Sequence, residues 1–221
     1  MGAAIGDILG FAVGVAISPV PIIAVILMLF TNRATANSLS FLIGWILGLT
    51  IAGGVVLALG LEASEGEEST TSGGIKIMIG VLFFALAWTQ WSGRPQGDEE
   101  PTMPGWMSTI DSFTAVKALG LGVALSALNP KNLALTIAAM ATVGSAGLST
   151  GEEIGTLAVF VFIASSTVAL PVVLNLVMGS KATGTLNSMK GWLTANNTTV
   201  MIVLFVVLGA KLLGDGISVV A

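Results

Sequence analysis

Leu128-Asn129-Pro130-Lys131-Asn132 interrupts an otherwise apolar run, and its reading decides the fold. Between Ala118 and Gly144 the one ionisable residue is Lys131, placed directly after a proline. A charge at membrane depth costs at least about 2.5–3.5 kcal/mol, so a lysine held there is expected to serve a site. That inference requires the run to cross a bilayer.

Composition supports a crossing. Of 221 residues 54% are hydrophobic and 9% charged, against roughly 25% charged in soluble domains. The mean hydropathy is +0.96. No polar stretch is long enough for a second, soluble domain, so residues 1–221 are expected to form a single transmembrane domain. The chain has no Cys and no His, which removes disulfides, thiolate and imidazole metal sites, and the usual general base at neutral pH. No catalytic residue, metal, cofactor or nucleic-acid contact is expected. Nine Met residues in apolar segments read as packing. Met1 to Asp7 lacks the basic region of a signal peptide and reads as the start of the first span.

Six stretches are long and apolar enough to span: about 8–30, 38–61, 74–91, 115–145, 153–178 and 198–214. The fold class expected is all-α, a polytopic membrane protein of six transmembrane helices. The loops after spans 1, 3 and 5 carry Arg33, Arg94, Lys117, Lys181 and Lys190. The other side carries Asp7, Glu62, Glu65, Glu152 and Asp215, with Lys76 and Lys211 near span ends. The positive-inside rule then puts both termini outside and the 92–114 loop in the cytoplasm, in a multi-pass plasma (inner) membrane protein. The Glu62–Thr71 loop reads as a solvated acidic turn, and 92–114, with Pro95, Pro101 and Pro104, as a flexible connector between halves. Asn197-Thr-Thr matches a glycosylation sequon but falls on the cytoplasmic side.

The halves, about 1–91 and 115–221, resemble one another. Gly14-Val-Ala-Ile-Ser-Pro-Val-Pro in span 1 parallels Gly122-Val-Ala-Leu-Ser-Ala-Leu-Asn-Pro-Lys in span 4. Three spans per half is an odd number, so the second half enters from the opposite side. Two inverted three-helix repeats with helices 1 and 4 broken is a plan of secondary transporters, with the site near the midplane. A rise of about 1.5 Å per residue puts Ser18 roughly 15 Å in from one side and Asn129 roughly 18 Å in from the other, both near the middle of a core of about 30 Å.

Ser18-Pro19 and Asn129-Pro130 each place a favoured N-cap before a proline at the first helical position. Two half-helix N-termini in one cavity offer free N–H groups and partial positive charge, to which Lys131 adds a full one. The expected ligand is an anion: carboxylate, phosphate or sulfate. The alternative is that the prolines are kinks whose freed carbonyls are satisfied by neighbouring helices. The candidate substrate-binding residues are Ser18, Pro19, Pro21, Asn129, Pro130, Lys131 and Asn132, joined from span 5 by Ser166, Thr167 and Asn175. Ser166 and Thr167 lie a turn before Pro171 and read first as a hydrated kink and second as substrate contacts. Thr89 and Gln90 read as interfacial, beside Trp88 and Trp91; Trp45 lines the cavity or faces lipid. Gly6, Gly10 and Gly14, with Gly44 and Gly48, form small-xxx-small faces for folding within the chain or for a homodimer.

Ser18-Pro19-Val20-Pro21-Ile22 and Asn129-Pro130-Lys131-Asn132-Leu133, in a six-span chain of this length, resemble the lysine-exporter (LysE) superfamily. Within it the resemblance is closest to the GAP, or sulfolipid-1-addressing protein (Sap), family. It implies export or membrane translocation, a two-repeat fold, a homodimer, and relatives linked to delivery of cell-envelope glycolipids. Amino-acid exporters of the superfamily often carry Pro-Gly-Pro where this chain has Pro19-Val20-Pro21, a departure that turns the expectation toward lipids. The functions expected are translocation of an anionic lipid or glycolipid precursor, export of a small anionic solute such as an amino acid, or a scaffold for lipid-export machinery.

Overall fold

The structure is a computed structural model that describes residues 1–60, 70–94 and 104–220, and among these only helices and turns occur. Most of the acidic Glu62–Thr71 loop, and Pro95, Pro101 and Asp98 to Glu100 of the linker, lie outside the described residues. The first apolar stretch forms α1 (Gly2–Ala16) and α2 (Pro19–Leu29), which meet at an angle of 51°. Then come α3 (Ala34–Ala58), α4 (Thr70–Ser92), a 3-10 helix (Gly105–Ser112), α5 (Ala115–Val123), a π turn (Ala124–Leu128) and α6 (Pro130–Gly144). The chain closes with α7 (Thr150–Met178), a 3-10 turn (Gly179–Ala182) and α8 (Thr183–Val220).

By length and composition, α3, residues Gly73–Ser92 of α4, and the Thr150–Val220 stretch can each cross a membrane, and bent α1–α2 together make a fourth such unit. The 115–145 stretch divides into short pieces, because Pro130 cannot donate to the preceding turn. Two expectations are corrected. The connection placed at 179–197 is mostly the first four turns of α8. In the 92–114 linker, Gly105–Ser112 is helical with Met107 and Ile110 buried, and Asn37 Nδ2 donates to Phe113 O at 3.0 Å, so this part is tied to the bundle rather than a free connector.

Glycine decides how closely the helices approach. A Cβ on Gly44 would meet the Leu119 carbonyl, one on Gly122 the Phe41 carbonyl, and one on Gly48 the Ser126 hydroxyl, so α3 and α5 cross backbone to backbone. Trp45, fully buried and stacked on Phe41 at 6.5 Å between centroids, fills that crossing and faces neither a cavity nor lipid. The Gly44/Gly48 face thus serves folding within one chain. Gly14 is closed over by Leu208 and Leu135, whereas Gly6 and Gly10 have nothing within 4 Å. Between α4 and α8 a second set appears: Gly73 lies against Gly216 and Gly80 against Gly209, in antiparallel order. In lipid, where apolar contact alone gives little drive to associate, such close packing holds helices together.

Helix pairing follows a pattern. α3 lies on α7 and α4 on α8; α3 also meets α5 and α6, as α7 meets α1 and α2; α4 touches α6, as α8 touches α2. α1 packs on α6, which brings the two breaks side by side.

Candidate functional site

The break between α1 and α2 follows from its two prolines. In a continuous helix residues 18 to 21 would donate to the carbonyls of residues 14 to 17. Pro19 and Pro21 have no N–H, so Val15 and Ile17 lose their donors. The Ser18 N–H bonds instead to Ala16 O at 2.8 Å, which leaves Gly14 O free as well. An orphaned carbonyl in a membrane must be satisfied locally. Here each one is. Lys131 Nζ donates to Gly14 O and Ile17 O, both at 2.9 Å, Ser18 Oγ donates to Val15 O at 2.6 Å, and Thr167 Oγ1 donates to Ala16 O at 2.6 Å.

The third Lys131 hydrogen goes to Ser18 Oγ at 2.6 Å, so the ammonium has three acceptors for three donors. It is only 4% exposed and lies at the C-terminal, negative end of α1, where a cation is favoured. Asn132, fully buried, joins the breaks: its Nδ2 donates to Leu125 O at 2.9 Å, and its Oδ1 is a second acceptor for Ser18, 3.2 Å away. Both expectations at the prolines therefore hold in part. The helices do break, and neighbouring segments satisfy the carbonyls that the breaks free.

Asn129 caps α6 as its position suggests, its side chain accepting from the Lys131 N–H at 3.0 Å. Ser18 does not cap α2 with its side chain. An N-cap hydroxyl bonds the N–H of the second or third helical residue; Pro21 removes the third, and the Ser18 hydroxyl turns back to Val15 O and finishes α1. The π turn at Ala124–Leu128 widens the second break, where three residues, Ala127 to Asn129, stand between the serine and the proline that adjoin in the first half.

A cavity of about 210 Å³ opens beside this lock. Ser18, Pro19 and Pro21 wall it from one break and Asn129, Pro130 and Lys131 from the other. The sequence reading missed its remaining wall: Leu86 and Gln90 of α4, and Asn197, Met201 and Phe205 of α8. Gln90 was expected at the interface and Asn197 in a loop. A signal for α8 exists in the spacing of Leu186, Met189 and Leu193, which line one helical face and pack on the core.

Ser18 and Pro19 also border a second, larger space. This groove of about 790 Å³ runs between α1 and α8 and is lined almost wholly by apolar side chains, among them Ile22, Leu204 and Leu208. Several of its lining residues, including Val13, Ile17, Val203 and Val207, are exposed, so it opens on the side of the bundle. A further apolar hollow of about 390 Å³ shares Ile22, Thr167, Trp192 and Leu193 with it and continues toward Ser188. Among the span 5 candidates, Thr167 belongs to the lock and to the groove. Ser166 is exposed and bonds its own helix through Ile163 O, facing a separate apolar groove between α3 and α7. Asn175 is half-buried and borders none of these three spaces.

Among the described residues no group of three or more Asp, Glu, His or Cys is placed to hold a metal. The site has one buried cation, carboxamides, a hydroxyl and an adjoining apolar groove. That suits binding and passage of a molecule with a polar head and an apolar body. Comparison with curated proteins and with solved structures finds no match. A family model covers nearly all of the chain, residues 8–218, and on that match the chain belongs to the Sap, sulfolipid-1-addressing protein, family.

Proposed function

We propose that the protein translocates an anionic lipid or glycolipid precursor of the cell envelope across the plasma membrane, through a midplane site between its two broken helices. The observation that carries this reading is the shared wall at Ser18 and Pro19: on one side a small cavity with the polar residues Ser18, Gln90, Asn129, Lys131 and Asn197 in its wall, on the other a laterally open and almost wholly apolar groove. A headgroup and an acyl chain need those two environments side by side. The groove volume of about 790 Å³ lies within the usual range of ligand sites, roughly 300–1,000 Å³. Family membership adds support, since the family's description concerns the addressing of a sulfolipid.

In this reading α1–α2, α3 and α4 form one repeat, and α5–α6, α7 and α8 the other. Exchanging the halves maps α3 on α7 onto itself, α4 on α8 onto itself, and α3 on α5 onto α7 on α1. Such a pairing is what an inverted repeat of the lysine-exporter type would give, with six crossings and both termini outside. Amino-acid export fits less well. Neither Asp nor Glu lines the cavity to receive an amino group.

The reading is tested in proteoliposomes loaded with a fluorescent anionic lipid or with a radiolabelled amino acid. The protein is expected to accelerate movement of the lipid between leaflets and to leave efflux of the amino acid at the rate of empty liposomes. The reverse pattern would replace lipid by small-solute export.

A further inference from the structure

We infer that Lys131 is a latch worked by the ligand: an anionic group entering the cavity draws the ammonium off the last turn of α1, and the wall between cavity and groove then opens. This inference deepens the lipid reading above and rests on it.

The wall is a single turn and its proline corner. Gly14, Ala16 and Ile17 border the groove, Ser18 and Pro19 border both spaces, and Lys131 borders the cavity. Side chains from two other helices hold the carbonyls of that turn. Thr167 Oγ1 of α7 bonds Ala16 O, and Lys131 Nζ of α6 bonds Gly14 O and Ile17 O. No backbone donor stands in for the lysine. The Ser18 N–H that would serve Gly14 O is bonded to Ala16 O, and Pro21, which would serve Ile17 O, has no N–H.

The lysine is held without a counter-charge. Its three acceptors are two carbonyls and a hydroxyl, all neutral, and neither ion pair among the described residues includes it. An anion in the cavity adds the attraction of a full opposite charge, which strengthens as water is excluded. A lysine is a compact charge with rotatable donors on a flexible stem, so the ammonium can turn to that anion while α6 stays in place. Its departure leaves Gly14 O and Ile17 O without donors, and in a membrane a turn so stripped is unstable. The turn yields while Thr167 keeps it tied to α7, and the cavity joins the groove. An empty cavity keeps the wall shut; an occupied one opens it.

The test measures amide hydrogen exchange of the full chain in maltoside micelles with one of three additions. Phosphatidylmethanol supplies anion and acyl chains, diacylglycerol the chains alone, and dimethyl phosphate the anion alone. Phosphatidylmethanol is expected to speed exchange across residues 15–18 about tenfold, the worth of one charge-assisted hydrogen bond, and diacylglycerol to change it by less than about twofold. Lys131→Gln keeps two N–H donors and loses the charge, so its exchange should not respond to phosphatidylmethanol. If Lys131→Gln does not fold, Thr167→Val removes the other tie and leaves the latch. Its exchange should start faster and still rise with phosphatidylmethanol, and loss of the response there would overturn the inference. Movement of phosphatidylmethanol between leaflets of proteoliposomes with no change in exchange would overturn the latch and leave lipid translocation standing. So would an equal rise with diacylglycerol, or an equal rise in Lys131→Gln. A rise with dimethyl phosphate but not with phosphatidylmethanol, lost in Lys131→Gln, would support the latch and overturn the lipid reading. No rise with any addition, and no movement of the lipid, would overturn both.

Discussion

Pro19 and Pro21 strip two carbonyls of their donors, and Lys131, from the other half of the chain, meets one of these together with Gly14 O. A lysine suits this task because a point charge on a flexible stem can face three acceptors set by backbone geometry. Lys131→Met keeps the bulk and removes the donors, leaving Gly14 O and Ile17 O unmade. At about 1–3 kcal/mol for each orphaned group, the variant should lose about 2–6 kcal/mol in equilibrium unfolding in mixed detergent. A Lys131→Met protein as stable as wild type would mean that the lock contributes nothing to the fold. Much of this site was legible at the residue scale, since a lone lysine after a proline in an apolar run marks itself. Its role was not, because the proline chemistry that creates its acceptors lies more than a hundred residues away. Ser166 and Thr167 illustrate a different limit. Adjacent residues on a helix point about 100° apart, so Thr167 reaches Ala16 while Ser166 faces outward, and nothing in their identities distinguishes them.

Among the elements, α8 departs most from its sequence reading. Residues 183–197 hold one lysine, Lys190, and many small polar residues, which lower the mean hydropathy and make the segment look like a loop. Hydropathy measures the average, while the helix is held by one face, with Leu186 1% exposed and Met189 and Leu193 packed behind it. The α4–α8 contact was equally hidden, because Gly73, Gly80, Gly209 and Gly216 recur at seven-residue spacing rather than four. Their spacing matters physically: a side chain on Gly80 would meet Leu213 at 2.8 Å, and one on Gly216 would meet Ile77 at 2.6 Å. Gly80→Leu should therefore destabilise by about 1–3 kcal/mol or more, the usual cost of overpacking. Gly10→Ala, which meets nothing within 4 Å, should change stability by less than about 0.5 kcal/mol. Thermal unfolding of both variants in one detergent checks the contrast, and equal losses would refute the close α4–α8 crossing.

For the whole molecule, the proposed repeat rests on Gly14-Val-Ala-Ile-Ser and Gly122-Val-Ala-Leu-Ser, where each half has a glycine at a close approach and a break about a turn later. The proposed orientation rests on basic loops, and the chain's lack of cysteine makes it testable without background. Single cysteines at Ser108, Ser180 and Thr150, all exposed, should label differently in intact cells. Thr150→Cys should react with an impermeant maleimide at once, and Ser108→Cys and Ser180→Cys only after permeabilisation. Any other pattern would overturn the proposed orientation or the six proposed crossings. The central claim, that the cavity between the breaks is the path of the lipid headgroup, is tested most directly by filling it. Met201 borders the cavity from α8 and takes no part in the lock. In proteoliposomes, Met201→Trp of wild-type stability should slow protein-dependent movement of a fluorescent anionic lipid by tenfold or more. Lipid movement at the wild-type rate through the filled cavity would contradict the account.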